Sequence, residues 1–143
     1  MTNDNKIKLV FTSNSDNESF ARNVVACFAL RLNPSVSDIA DIKTAVSEAV
    51  TNAIVHGYPN SLGEITLEAS IENGMIHINV FDEGVGIKDL PEAMQPFFTT
   101  KEDEERSGMG FTIMQNFMDS VNVSSEPGKG TKVYMMKKLK ANA

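Results

Sequence analysis

Three short runs carry residue types that do chemistry with a small polar ligand. Glu48 and Asn52 stand four apart in Ser47-Glu48-Ala49-Val50-Thr51-Asn52, a spacing that puts a carboxylate and an amide on one face of a helix. Asp82-Glu83-Gly84-Val85-Gly86 directly follows an alternating apolar run. A carboxylate at a strand end accepts hydrogen bonds from an exocyclic amine, and the glycines let backbone lie close against a ligand. Gly108-Met109-Gly110 opens a helical pattern, and free N–H groups at a helix N-terminus, reached across glycines, bind anions. Taken singly, each run has a plainer reading: a solvated helix face, a tight turn, a loop-to-helix junction. Their fixed order along the chain is what joins them.

The elements that must position these runs follow from periodicity. Ile7, Leu9 and Phe11 alternate with Lys8 and Val10 and predict a strand. Ser15-Asp16-Asn17-Glu18 has the form of a capping box, starting a helix to about Leu32 with Phe20, Val24, Phe28 and Leu32 on one stripe. Pro34 ends it. A second helix runs from about Ser35 to His56, buries Ile39, Ile42, Val46, Ala49 and Ala53, and has Gly57 as its expected C′ residue. Glu48 and Asn52 lie well over a quarter-turn from that stripe. Two alternating runs about Asn73-Gly74 form a hairpin. Residues 83 to 109 carry no single period, the mark of a functional or mobile loop. A helix returns from Phe111 to Met118, and a last hairpin turns at Pro127-Gly128-Lys129-Gly130. The order predicts an α/β two-layer sandwich, helices on one face of a mixed, mostly antiparallel sheet. The tail, about 137–143, is expected to fray.

The 143 residues, 41% hydrophobic and 22% charged, suit a single domain spanning 1–143. A net charge of −6 argues against direct contact with nucleic acid, whose phosphates need a basic face. It suits protein partners of basic character, and a nucleotide can still be held through a metal ion and backbone N–H groups. No apolar run has membrane-spanning length, and residues 1–10 lack a signal peptide's apolar stretch. A cytoplasmic protein without membrane contact is therefore expected. Cys27 lies in an apolar run and reads as a small core residue. Two His and one Cys make no zinc cluster.

Glu48-x-x-x-Asn52, Asp82-x-Gly84-x-Gly86 and Gly108-x-Gly110 together resemble the N, G1 and G2 boxes of the GHKL ATPase superfamily. The resemblance implies the Bergerat α/β sandwich, with a mobile ATP lid over about 88–107. It narrows on Ser47 to Tyr58, on Phe98-Thr99-Thr100-Lys101 and on Glu105-Arg106-Ser107-Gly108-Met109-Gly110-Phe111-Thr112-Ile113-Met114. These look very like the anti-sigma F family of sporulation, from about Ser15 to Val133. That family holds the sporulation sigma factor F inactive and uses ATP to phosphorylate a serine of an anti-anti-sigma factor; it is dimeric, so a homodimer is expected.

Carried over by position, Glu48 resembles the general base that receives the serine proton, and Asn52 the Mg²⁺ ligand. Asp82 looks like the reader of the adenine amine, with Gly84, Gly86 and Thr131 beside it. Gly108 and Gly110 would offer N–H groups to the phosphates, with Thr99, Ser107 and Met109 among the nucleotide contacts. Lys101 and Arg106 match lid cations that could stabilise the transferring phosphoryl, though either also reads as a solvated charge. Arg22 matches the family's partner-contact arginine; otherwise it is an exposed helix charge.

Two lookalikes fall away. Gly128-Lys129-Gly130-Thr131 echoes the end of a P-loop, but no glycine precedes it at the required spacing. His56 fits no phosphoacceptor motif and reads as structural. The competing functions are a histidine-kinase catalytic domain, for which one filled domain leaves no dimerising helix pair, and a binding module that uses ATP without kinase activity. Glu48 weighs against the second, since nucleotide binding alone needs no base.

Overall fold

The computed structural model describes residues 4–87 and 110–139. Strand β1 (Asn5–Thr12) leads to helix α1 (Asp16–Ala29) and a 3₁₀ turn (Leu30–Leu32). Helix α2 (Val36–Asn52) runs on into a single π turn (Ala53–Gly57). Strands β2 (Glu64–Glu72) and β3 (Met75–Asp82) form the first hairpin. Its turn places Asn73 and Gly74 at φ 52° and 76°, as a type I′ turn requires. Helix α3 (Gly110–Phe117) precedes the second hairpin, β4 (Ser120–Glu126) and β5 (Gly130–Lys138).

The sheet order is β1-β2-β3-β5-β4, and every pairing is antiparallel. The sheet is thus wholly antiparallel, not the mixed, mostly antiparallel sheet that the element order predicted. β3 and β4 do run the same way, as a crossover through a helix demands. The returning strand β5 folds in between them, so no parallel pair is left in contact.

Helices α1 and α3 flank α2 on one face. The core lies between, with Val25 and Phe28 of α1, Ile42, Val46 and Val50 of α2 and Met114 of α3 against Leu67, Ile78 and Met135 of the sheet. The α2 stripe is as the periodicity predicts. The α1 stripe is not: the buried residues are Ala21, Val25, Phe28 and Ala29, while Phe20 is 56% exposed. The helix is rotated by about one residue, about 100°, which puts small Ala21 and Ala29 where α1 meets α2. The same rotation leaves Cys27 exposed rather than in the core.

The expected capping box does not form. Ser15 adopts helical angles and its side chain caps nothing. Asn14 takes over, its Oδ1 accepting from Asp16 N at 2.9 Å. Glu18 is drawn away by stronger, charge-assisted partners: Arg22 Nη1 donates to its Oε2 at 2.7 Å, and Ser47 Oγ to the same atom at 2.7 Å. Ser35, by contrast, caps α2 by accepting from Asp38 N at 3.0 Å. At the C-terminus β5 pairs through Lys138, and Leu139 is buried with its N–H on Gly74 O at 3.1 Å. The expected fraying therefore does not begin at Lys137.

Candidate functional site

The site is assembled where the end of α2 meets the end of β3. Asp82 is the last residue of β3 and is 7% exposed. Its Oδ1 accepts from Gly84 N at 2.9 Å, a turn that folds the chain back over its own carboxylate. Burial raises the Asp82 carboxyl above the ordinary carboxylate value, and hydrogen bonds from the backbone amides of Gly84 and Thr131 pull the other way. A buried carboxylate at a strand end is an acceptor held dry for a donor such as an exocyclic amine.

Gly57 was expected to end a helix in the left-handed conformation; it does not, being absent from the positive-φ residues. It is needed for close approach instead. A Cβ there would come 2.9 Å from Asp82 Cγ and Oδ1. Gly84 meets the other side of the same junction: its Cβ would overlap Gly57 O, which accepts from Val85 N at 2.9 Å. Gly57 is the last residue of the π turn, so its carbonyl has no acceptor role within the helix and is taken by the loop after β3. Gly86, at φ 76°, packs against Glu126, and Val85 O accepts from Gly128 N at 2.7 Å.

Two residues that motif spacing misses complete the frame. Tyr58 OH accepts from Glu83 N at 2.8 Å and donates to Glu64 O at 2.7 Å. Burial first, then the charges of Asp82, Glu83 and Glu64, raise its phenol above the usual value against the Glu83 amide's pull, so it stays a neutral donor. Ser125 Oγ donates to Gly130 O at 3.0 Å, accepts from Ile87 N at 2.7 Å and lies 2.8 Å from Thr131 Oγ1. With the Ser125 proton on Gly130 O, the Thr131 hydroxyl is the donor of the last pair. Thr131 is register partner to Asp82, so Ser125 ties β4, β5 and the loop through Ile87 into one support. Only strand register could have pointed to Ser125, which lies 38 residues from Ile87.

Glu48 is 6% exposed, although it stands off the apolar stripe. It is covered by α3: a Cβ built on Gly110 would lie 3.4 Å from Glu48 Oε1. The carboxylate thus sits at the N-terminus of α3, where the helix dipole favours negative charge. Asn52 follows one turn later, half-buried at the last position of α2, beside the π turn that contacts Asp82. Glu48, Asn52, Asp82, Gly84, Gly86, Gly110 and Thr131 therefore share one end of the sandwich. Arg22 lies apart on α1, tied through Glu18 to Ser47, the residue before Glu48. Thr99, Lys101, Arg106, Ser107, Gly108, Met109 and the lid expected over 88–107 fall outside the described residues.

The arrangement can hold a purine amine at Asp82 and carry a carboxylate and an amide toward the far end of a ligand. The family described as Histidine kinase-like ATPase domain matches residues 11–137. An anti-sigma F factor of Thermoanaerobacter sp. (strain X514) is 61% identical over 133 residues, 93% of each chain. The RsbU and RsbW domains of Rv1364c from Mycobacterium tuberculosis share the fold at TM-score 0.70 and 19% identity, over 97% of this chain and 33% of that one. So does full-length ShkA in complex with AMPPNP, at TM-score 0.61 and 18% identity, over 90% of this chain and 30% of that one. The chain belongs to the histidine kinase-like ATPase domain family, a nucleotide-binding fold, and within it to the anti-sigma F factors.

Proposed function

We propose that the chain binds and inhibits the sporulation sigma factor F and, with Mg-ATP, phosphorylates a serine of its anti-anti-sigma factor, so controlling release of the sigma factor. It works as a cytoplasmic homodimer without direct contact to nucleic acid. The observation that carries the kinase reading is Glu48, a carboxylate buried against the N-terminus of α3 on the same helix face as Asn52. A module that only bound nucleotide would have no use for a charge kept dry there. The Asp82 junction suits an adenine amine: its acceptor is buried, and Gly57 and Gly84 let the π turn and the loop after β3 close around it. Asn52 supplies an amide oxygen of the kind Mg²⁺ takes. Glu48 would accept the serine proton as the serine oxygen bonds to the γ-phosphorus and the bond to the β,γ-bridging oxygen breaks, releasing ADP. Arg22, held by Glu18, would contact the protein partner.

The experiment is Glu48→Gln, which keeps volume and removes the base. Nucleotide affinity by calorimetry and sigma-factor pull-down should stay near wild type. Single-turnover phosphoryl transfer to the anti-anti-sigma factor should fall about 10²–10⁴-fold. Transfer at the wild-type rate would remove Glu48 as base.

A further inference from the structure

Four residues lie in one row across the sheet. Ile65 pairs with Asp82, Asp82 with Thr131, and Thr131 with Ser125. Two residues away along their strands, Val80 and Val133 are core residues and Val123 packs against them. Strand period therefore puts Asp82, Thr131 and Ser125 on that same helix-covered face. Asp82 and Thr131 are each 7% exposed.

Ser125 uses its whole hydrogen-bonding capacity here. A hydroxyl has one proton and two lone pairs. Gly130 O, 3.0 Å away, can only accept, so it takes the proton. Ile87 N, at 2.7 Å, can only donate, so it takes one lone pair. Thr131 Oγ1 is the third neighbour, at 2.8 Å, and the second lone pair obliges it to donate. The reverse arrangement would set Ser125 Oγ and Gly130 O 3.0 Å apart with no proton between them.

An unconstrained hydroxyl turns its proton toward or away from a ligand as the ligand requires, and so cannot tell a donor from an acceptor. The Thr131 hydroxyl is constrained. Its proton points at Ser125, and on its other side it can only accept. Asp82 takes N–H groups from Gly84 and from the Thr131 backbone, so it is an acceptor as well. The two are register partners, and the row offers two acceptors side by side. The 6-amino group of a purine carries two N–H donors and suits them, directly or through one water. A 6-oxo purine brings an acceptor to the same place, where neither partner has a proton to give.

We propose that Ser125 is a positioning residue for base selection: by holding the Thr131 proton, it makes the site prefer a 6-amino over a 6-oxo purine nucleotide. It acts through Thr131 and need not touch the ligand. The inference rests on the nucleotide site of the proposed function and adds the residue that sets its base preference. A support that only tied β4, β5 and the loop through Ile87 together would serve every purine alike. The fixed place of one proton is what makes this support selective.

Calorimetric affinities of the full chain for Mg-ATP and Mg-ITP, which differ in the base alone, test it. Wild type should prefer ATP. Ser125→Ala releases the Thr131 proton, so the preference should fall about three- to tenfold, the value of one hydrogen bond, whatever happens to both affinities together. Thr131→Val lacks the group that is steered. Its preference should already be low, and adding Ser125→Ala should lower it no further. Thermal melts check that each variant is folded; if Ser125→Ala is not, Ser125→Cys, close in volume and only a weak donor and acceptor, takes its place. Loss of affinity for both nucleotides by the same factor in Ser125→Ala, or a further fall in the double variant, would overturn the inference and leave the nucleotide site standing. So would a wild type without preference. A wild type that binds neither nucleotide would overturn the site and the inference at once.

Discussion

Asp82 is where the proposed nucleotide site costs stability. Burial raises its folded-state pKa above the ordinary carboxylate value, so the folded chain binds that proton more tightly than the unfolded one. Below the unfolded value the group is neutral in both states and contributes nothing. As pH rises through the window up to the raised folded value, stability falls, and the full cost remains above it. Asp82→Asn should therefore raise the melting temperature of the nucleotide-free protein at pH 7 and flatten its fall across that window, checked by calorimetry at several pH values. The amide keeps one acceptor oxygen and puts an NH2 donor in place of the other, so one of the donors that face the carboxylate, a backbone amide or the adenine amine, would meet a donor instead. Nucleotide affinity should drop about 10–100-fold, the worth of a hydrogen bond to a charged group. Asn52→Ala, half-buried and off the core stripe, should lose most Mg-dependent ATP affinity with the melting temperature nearly unchanged.

At the scale of elements, the junctions decide more than the elements do. Gly84→Ala forces a methyl into the Gly57 carbonyl that receives Val85 N–H. Separating the π turn from the loop after β3 should cost about 2–3 kcal/mol in denaturant unfolding, the range for overpacking, and remove nucleotide binding. Gly128→Ala is the control: at φ 81° with nothing within 4 Å, it should cost only about 1 kcal/mol of left-handed strain. The start of α1 makes a second contrast. Asn14→Ala should destabilise by about 1 kcal/mol, the value of an N-cap, while Ser15→Ala, whose side chain caps nothing, should lie within about 0.5 kcal/mol of wild type.

For the molecule as a whole, the proposed ligand is a stability term. Mg-ATP at about 100 times its dissociation constant should add about 2.7 kcal/mol, and in a domain of this size that raises the melting temperature about 5–10 °C. Differential scanning calorimetry with ATP alone, Mg-ATP and Mg-ATP plus chelator would measure it; equal shifts with and without the metal would speak against Asn52 as a metal ligand. The proposed homodimer would add a dependence of the melting temperature on protein concentration.

The α2 stripe, both hairpins and the side-by-side placement of Glu48 and Asn52 were legible because each depends on neighbours within a few residues, where helical or strand period and turn chemistry decide. So was the family, since its boxes are short runs in a fixed order. The sequence could not say that Glu18 would leave the helix cap for Arg22 and Ser47, because Ser47 lies 29 residues away. Nor could it turn α1 so that Cys27 faces out, since two apolar stripes were available and only packing against α2 chose between them. Gly57 read as a helix stop; the tertiary structure made it the floor beneath Asp82. Ser125 carried no motif, and Tyr58, the last residue of the Ser47–Tyr58 run, carried no assigned role. The site's chemistry was written in local spacing, but its geometry came from strand register and helix packing, which bring together residues too far apart in the chain for any local period to relate them.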